Sequence, residues 1–254
     1  MALPPSTFAS LIDYAGLFPP AALPMQQAVE NYARYRASPE AWMLGRFVLP
    51  ANRLPEFERW CPQRFPLSLL LASPAELPPA RDSIVSVELK ATHDAQIQPI
   101  PGIETYFEIA DLSLIPVIAH RGARAKIRAG GVTIDAFPPA RFIADFLATS
   151  AAHRVPFKAT AGLHHALRCH RPLTYSADSP SGWMFGFLNV FIAAALAWKG
   201  VKSSELESVL MEESLVDHGL SESDLATARR DFAISFGSCS FDEPVADLTA
   251  LDIL

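Results

Sequence analysis

Short apolar segments alternate with helix-like segments from one end of this chain to the other, and this alternation limits the fold more than any other feature. Eight segments have the length and apolar character of β-strands. They cover residues 11–16, 43–49, 67–72, 84–90, 105–109, 125–131, 157–162 and 232–238. Strands that alternate with helices pair in parallel, and eight parallel strands close a barrel. The sequence therefore predicts an α/β fold, a single (β/α)8 TIM barrel.

The length of the chain fits one such barrel, with one long connection near its end. The 254 residues are close to the typical size of about 250, so we expect one domain over residues 1–254. The connection at 163–231 is too long for one crossover, and it predicts helices at 183–198, 203–211 and 221–230. Its polar start, 168–181, predicts a mobile, lid-like loop over the catalytic face.

Composition excludes several classes of function. A net charge of −6 and the lack of a basic cluster argue against a nucleic-acid partner. Three scattered cysteines (Cys61, Cys169 and Cys239) indicate neither a disulfide framework nor a zinc site. The longest apolar run, 183–198, is too short to span a bilayer, and the start of the chain lacks a signal-peptide pattern. We therefore expect a cytoplasmic protein with no membrane partner and no metal.

Two lysines carry the strongest functional signal. Lys126 and Lys158 each lie in a strand-like run that ends in glycine, and they are 32 residues apart. The helix-like stretch 136–152 between them completes a β-α-β unit, so their strands should be parallel neighbours. Repulsion between two nearby ammonium groups lowers the pKa of at least one. This would leave a neutral amine able to attack a carbonyl group.

Further charged residues share the faces of these strands. Side chains alternate across a strand, so Lys126 shares a face with Arg128, and Glu88 shares one with Lys90. Glu108 holds an equivalent place on the fifth strand. Because barrel interiors are normally apolar, inward charges at strand ends predict a catalytic site. The candidate catalytic residues are Lys126, Lys158, Glu88 and Glu108, and the candidate substrate-binding residues here are Arg128 and Lys90.

The turns after the last three strands form a second candidate set. Glycine-containing turns in this part of a barrel often bind phosphate through backbone N–H groups. A histidine pair directly after the seventh strand is placed to touch the same substrate. The residues concerned are Gly130, Gly131, Gly162, Gly237 and Ser238 in the turns, with His164 and His165.

Four short motifs, in order along the chain, resemble those of deoxyribose-phosphate aldolases. Residues 11–20 resemble the opening Leu-Ile-Asp-His strand and its Leu-Lys-Pro turn. Residues 126–130 resemble the Lys-Thr-Ser-Thr-Gly motif that carries the Schiff-base lysine. Residues 158–163 resemble Lys-Ala-Ser-Gly-Gly-Ile, whose lysine tunes the first one. Residues 236–240 resemble the Phe-Gly-Ala-Ser-Ser strand of the phosphate site.

The resemblance implies roles and also shows departures. It implies that Lys126 is the nucleophile, that Lys158 tunes it, that no cofactor is needed and that a homodimer is possible. The family has a proton-relay aspartate on the fourth strand, where this chain has Ser86, with Glu88 one pleat further on. Arg128 replaces a small residue of the first phosphate-binding turn, and the insertion after Gly162 has no counterpart. A distant class I aldolase-like barrel is therefore the expected relation.

These observations predict a cofactor-independent lyase that forms a lysine Schiff base with a small carbonyl substrate. Glu88 or Glu108 would move protons, and Arg128 would hold a carboxylate or phosphate group. One alternative is an isomerase or decarboxylase on the same barrel that uses lysine and glutamate as acid and base. The other is a catalytically inactive barrel with a ligand-binding or interaction role. Substrate identity, reaction direction and oligomeric state are left open at this point.

Overall fold

Eight parallel strands form a closed barrel in the computed structural model, which describes residues 3–61, 63–79 and 82–254. The predicted barrel fold is confirmed; within the predicted domain range, residues 1, 2, 62, 80 and 81 lie outside the described residues. The strands follow chain order around the ring, and the last one closes it between the seventh and the first. They are β1 (Ile12–Tyr14), β2 (Leu44–Pro50), β3 (Leu67–Leu70), β4 (Ile84–Lys90), β5 (Glu104–Glu108), β6 (Arg124–Arg128), β7 (Phe157–Thr160) and β10 (Ala233–Ser238).

Helices cover most of the outside of the barrel. The connection from β4 to β5 holds only a 3-10 turn, Asp94–Gln96, and the described part of the β3–β4 connection holds only Pro74–Glu76. The α-helices are α1 (Met25–Arg36), α2 (Leu54–Trp60), α3 (Ile115–His120), α4 (Ala140–Ala152), α5 (Phe187–Trp198), α6 (Ser203–Leu210), α7 (Glu222–Asp231) and α8 (Asp242–Ala250). The sequence had not indicated α8.

The long connection between β7 and β10 differs from its prediction at its start. The expected loop over 168–181 contains an antiparallel hairpin, formed by β8 (Cys169–Pro172) and β9 (Ser181–Met184). The expected helix at 183–198 begins at Phe187 instead. Burial alternates along β9, which is the pattern of a strand, and Gly186 has an extended backbone just before the helix. The alternation of β9 covers only four residues and runs directly into the apolar sequence of the helix, so the sequence pattern placed the helix start too early.

The helix α5 is the buried centre of this connection. Eleven of its twelve residues are buried, and it packs against α4, α6, α7 and β10. A helix that is apolar on every side needs partners on every side, and this packing supplies them. Among the described residues, no helix has both the length and the apolar character needed to cross a membrane.

A capping box holds the start of α7. Ser221 accepts a hydrogen bond from the backbone N–H of Asp224, and the Asp224 carboxylate accepts one from the backbone N–H of Ser221. This reciprocal pair satisfies two of the backbone donors that a helix leaves free at its start. It fixes the place where the chain turns back toward β10.

The turns that follow β6 and β7 are packed against each other through a phenylalanine. A Cβ atom added to Gly130 would lie 2.3 Å from the Phe137 ring, and one added to Gly162 would lie 2.7 Å from it. Gly162 also has φ of +70°, a conformation that favours glycine. Both glycines are therefore needed so that the two turns can close around Phe137.

Replacing Gly162 with Ala should lower the free energy of unfolding more than replacing Gly102 with Ala. Both glycines have positive φ, so each change costs about 1–2 kcal/mol of backbone strain. Only Gly162 has neighbours within 4 Å of the new methyl group, which adds about 1–3 kcal/mol of overpacking. Urea unfolding of the parent and both variants measures the difference. Equal losses of unfolding free energy in the two variants would show that the Phe137 ring moves to accommodate the new methyl group.

Candidate active site

The interior of the barrel is charged where barrels of this type are normally apolar. Lys126 and Lys158 are register partners on the adjacent strands β6 and β7, and Glu108 is the register partner of Lys126 on β5. Lys126, Lys158 and Glu88 are all buried. The period-2 alternation therefore gave the correct face for all four predicted catalytic residues.

The carboxylate of Glu88 lies between the two lysines and binds both. Its Oε1 atom is 2.6 Å from Lys158 Nζ, and its Oε2 atom is 2.7 Å from Lys126 Nζ. Ser68 also donates a hydrogen bond to Oε1 at 2.6 Å. Ser86 donates to the Ser68 hydroxyl instead. Glu88 therefore contacts the lysines directly, while Ser86 supports it from below.

Each lysine has a second carboxylate partner. Lys126 Nζ lies 2.9 Å from Glu108 Oε2, and Lys158 Nζ lies 2.7 Å from Asp13 Oδ2. Asp13 is held in turn by the Ser235 hydroxyl and by the backbone N–H of Arg46. One continuous ion network therefore joins five side chains: Asp13, Lys158, Glu88, Lys126 and Glu108.

Asp13 was missing from the predicted site. It is 1% exposed, on a strand of three residues whose neighbours Ile12 and Tyr14 are fully buried. An acidic residue in the middle of an apolar strand is the signal that could have identified it, because a buried carboxylate needs a partner. Its partner, Lys158, is 145 residues away along the chain, so no local pattern connects the two.

The network shifts the pKa of three of its members. Burial alone would raise the pKa of Glu88, but the adjacent Lys126 and Lys158 ammonium groups hold it well below its usual range. Glu108 behaves in the same way, and its pKa is lowered mainly by Lys126. Burial alone would lower the pKa of Lys158, but the carboxylates of Asp13 and Glu88 raise it. Lys158 is therefore a stable ammonium at neutral pH.

The predicted repulsion between the two lysines needs correction. The sequence predicts one ammonium group directly against another. In the structure the Glu88 carboxylate lies between Lys126 and Lys158 and offsets much of that repulsion. The charge of each lysine is therefore balanced by carboxylates as well as opposed by the other lysine.

A cavity of about 780 Å³ opens above this network at the carboxyl ends of the strands. Its wall brings together nine of the predicted site residues. It also includes Cys239 and Thr160, which were not predicted. The nine are Glu88, Lys90, Glu108, Lys126, Arg128, Gly131, Lys158, His164 and Gly237.

Four predicted substrate-binding residues do not line the cavity. Gly130 and Gly162 pack against Phe137, as described above. His165 turns to Asp247 of α8, with 3.1 Å between Nδ1 and Oδ2. Ser238 is buried at the end of β10. The expected phosphate-binding set of turns is therefore reduced to Gly131 and Gly237 at the cavity wall.

The mouth of the cavity carries positive charge. Arg128 is half exposed, and its Nε atom lies 3.3 Å from Glu108 Oε1. Lys90, one strand further on, is exposed and lines the same cavity. Lys126 and Lys158 are paired with the carboxylates of Asp13, Glu88 and Glu108. The two outer cations exceed the one other acid of the cavity wall, Glu76, and are placed to attract an anionic group from solvent.

A second polar layer fills the barrel below the lysines. Glu104 binds Arg46 at 2.5 Å and Arg124 at 2.8 Å. The Tyr106 ring lies above them, and Lys158 Nζ is 5.6 Å from the centre of that ring. This layer was not predicted, and it separates the lysines from the amino-terminal end of the barrel.

The β8–β9 hairpin is attached at the same end of the barrel as the cavity. The Tyr175 hydroxyl donates a hydrogen bond at 3.0 Å to Glu243 of α8. Among the described residues, however, the cavity wall contains none from the hairpin. The hairpin thus lies beside the mouth, and its predicted mobility stays a prediction. The described residues also contain no group of three or more His, Cys, Asp or Glu side chains able to hold a metal ion.

Comparisons with known proteins add no family to this geometry. No protein-family model, no curated protein and no solved structure matches the chain. The four motifs that resemble deoxyribose-phosphate aldolases therefore remain a resemblance, and a barrel fold alone does not fix an activity. The chemistry has to be inferred from the residues of the cavity.

Replacing Glu88 with Gln should lower the free energy of unfolding near neutral pH by about 3–5 kcal/mol, because two buried ammonium groups lose a shared partner. The depressed folded-state pKa means that this stabilisation is present above the unfolded pKa of about 4.3. It is lost as the pH falls from there toward the folded-state pKa. The difference in unfolding free energy between the parent and the variant should therefore decrease in acid. Urea unfolding over a pH series measures it.

The exposed Asp82–Arg64 pair supplies the matched control. Both side chains are 81% exposed, so Asp82→Asn should change the stability by no more than about 1 kcal/mol. A Glu88→Gln loss no larger than that of Asp82→Asn, or a gap that does not depend on pH, would contradict the role of Glu88 as the central counterion.

Proposed function

We propose that this chain is a cofactor-independent lyase of the class I aldolase type, which binds a small carbonyl compound as a Schiff base on Lys126. The observation that carries the proposal is the Glu88 carboxylate held between two buried lysines in the wall of an open cavity. Buried ion networks are often no more stabilising than apolar packing. Their presence at the carboxyl ends of barrel strands, where barrel enzymes have their active sites, supports a chemical use.

The environment of the two lysines supports Lys126 as the nucleophile. Lys158 is 1% exposed, and the carboxylates of Asp13 and Glu88 keep it charged. Lys126 instead has Glu108 as its second partner, and Glu108 in turn contacts the half-exposed Arg128 at the cavity mouth. A substrate that enters between Arg128 and Glu108 reaches Lys126 next to the Glu108 carboxylate, which can accept a proton.

The residues present can carry each proton of an aldol cleavage. The Lys126 ammonium first gives a proton to Glu108, 2.9 Å away, and the neutral amine attacks the carbonyl carbon. The carbonyl oxygen takes protons and leaves as water, which forms the iminium. Removal of the substrate hydroxyl proton then breaks the carbon–carbon bond, its electron pair forms an enamine, and an aldehyde leaves. Protonation of the enamine and addition of water release the second product and Lys126.

Two further charges fit this sequence of steps. The Lys158 ammonium lies at the same level of the barrel as Lys126 and can stabilise the oxygen anion as the amine adds. Glu88 touches both lysines and can pass protons between them. Arg128 and Lys90 would hold a carboxylate or phosphate at the mouth of the cavity, so that the carbonyl group points inward.

An isomerase or decarboxylase without covalent chemistry is the second candidate. The observation that favours it is that each lysine lies within 3 Å of two carboxylate oxygens. This arrangement stabilises ammonium groups, which can act as acids or bind an enolate oxygen without attacking a carbonyl. Only the Schiff-base route leaves a lysine that borohydride can trap.

Borohydride reduction with short aldehydes and 2-oxo acids should attach the carbon skeleton of the carbonyl compound to Lys126, as detected by peptide mass spectrometry. Lys126→Met should abolish this label at every pH. Lys158→Met should leave a weaker label, because Lys158 assists the addition but does not form the bond. Lys202→Met is the matched control, since Lys202 is an exposed lysine that does not line the cavity.

Two outcomes would remove this mechanism. Labelling of the Lys126→Met protein at the parent rate would assign the Schiff base elsewhere. No labelling of the parent by any compound in the panel would favour the isomerase or decarboxylase.

Replacing Arg128 with Gln should weaken the trapping of anionic carbonyl compounds but not of neutral ones. The half-saturating concentration of pyruvate should rise by about tenfold or more, the loss of one charge-assisted contact. That of acetaldehyde should stay within about twofold. Trapping yield at a series of concentrations gives both values. A parallel rise for the two compounds would mean that Arg128 shapes the cavity and does not bind the anion.

A further inference from the structure

A cysteine thiol that the proposed reaction does not use lies in the wall of the same cavity. Cys239 is the first residue after β10, and both Cys239 and His164, which follows β7, line the cavity. Since β7 and β10 are neighbours in the barrel, these two residues lie side by side at its mouth. The cavity therefore has a second potential nucleophile next to a histidine.

Three side chains, His164, Tyr175 and Glu243, form the surroundings of this thiol. Cys239 Sγ is 3.8 Å from His164 Nδ1 and 3.7 Å from the Tyr175 hydroxyl. Glu243 Oε2 lies 3.3 Å from His164 Nδ1, and it also accepts the Tyr175 hydrogen bond. The acid fixes the imidazole ring, and Tyr175 of the hairpin covers the sulfur from one side. The cluster joins β7, β10, α8 and the hairpin.

The histidine of this cluster is a cation at neutral pH. Burial alone would lower the pKa of His164, but its contacts with Cys239 and Glu243 raise the pKa to about 9. Reactive thiols in proteins lie beside cations and in partly open surroundings, whereas thiols in apolar surroundings are inert. Burial raises the pKa of the Cys61 thiol and of the Cys169 thiol.

We propose that Cys239 is a second nucleophile of the cavity, which adds through its sulfur to the carbonyl carbon of a small aldehyde. The S–C bond forms as the carbonyl π bond opens. The His164 imidazolium gives a proton to the carbonyl oxygen, and the thiol proton replaces it on the ring. The product is a hemithioacetal, so no oxidant, reductant or leaving group is required, and the step is reversible.

This inference does not depend on a Schiff base at Lys126. It requires only that an aldehyde enters the cavity and that His164 lies beside the sulfur. If the proposed lyase activity is also correct, the aldehyde that leaves Lys126 is formed within the same cavity as Cys239. The thiol would then hold that aldehyde before release.

Alkylation with iodoacetamide compares the three cysteines within one folded protein. At neutral pH, peptide mass spectrometry should show Cys239 modified about tenfold faster than Cys169, even though Cys239 is buried and Cys169 is more exposed. Cys61, which is buried and donates to the Gln63 carbonyl, should react most slowly. In urea the three rates should become similar, which checks that each peptide is detected equally. Modification of Cys239 no faster than Cys61 would overturn the proposal without any substitution.

His164→Gln tests the role of the imidazole. It should slow the alkylation of Cys239 about tenfold and leave Cys169 unchanged. His165→Gln is the matched control, because His165 is the adjacent residue but contacts Asp247 and does not line the cavity. Equal Cys239 rates in the two variants would mean that the histidine beside the sulfur does not activate it.

Acetaldehyde supplies the probe for the hemithioacetal itself. It should protect Cys239, and not Cys169, from iodoacetamide in the parent and equally in Lys126→Met. Protection that disappears in Lys126→Met would show that a Schiff base blocks the cavity, which supports the lyase and rejects the thiol adduct. No protection in either protein would reject the adduct, while borohydride trapping of the parent would still decide the lyase separately.

Discussion

One carboxylate between two ammonium groups holds the interior of this barrel together. Glu88 is within hydrogen-bonding distance of both Lys126 and Lys158, and their remaining charge is met by Glu108 and Asp13. Below this layer Glu104 meets two arginines. Among the described residues, these contacts join four buried or half-buried acids to four bases, so the formal charges of these eight side chains cancel. The anions are Asp13, Glu88, Glu104 and Glu108, and the cations are Arg46, Arg124, Lys126 and Lys158.

This balance constrains any reaction in the cavity. An amine becomes nucleophilic only after it gives up its proton, and the balance is kept if that proton moves to a carboxylate of the same network. Glu108 suits this role because it touches Lys126 and also borders the cavity. Arg128 and Lys90 lie outside this set of eight, so the cavity wall carries two further cations, with the carboxylate of Glu76 in the same wall.

The fold and much of the site follow from short-range patterns in the sequence. Eight apolar segments gave the barrel, and alternation along β4, β5 and β6 gave the inward positions of Glu88, Glu108 and Lys126. The parts that were missed depend on contacts between distant residues. Asp13 meets Lys158 across 145 residues, and Tyr175 meets Glu243 across 68, and no periodicity carries that information. The glycines at 130 and 162 were expected from their turns to bind phosphate. The Phe137 ring that both pack against lies in the β6–β7 connection, which also holds Gly130 and precedes Gly162.

The position of β10 between β1 and β7 links the charge balance to the order of assembly. Asp13 is on β1 and Lys158 is on β7, and the two strands are neighbours only across β10. Without β10 the sheet has two open edges, one on β1 and one on β7. Lys158 of β7 would then lack the strand that holds it next to Asp13 of β1. Ser235 of β10 donates to that same carboxylate, so the entering strand also completes the hydrogen bonds of Asp13. Closure of the ring and the Asp13–Lys158 contact therefore both depend on β10, whereas the Glu88–Lys158 contact lies on the other side of the ring.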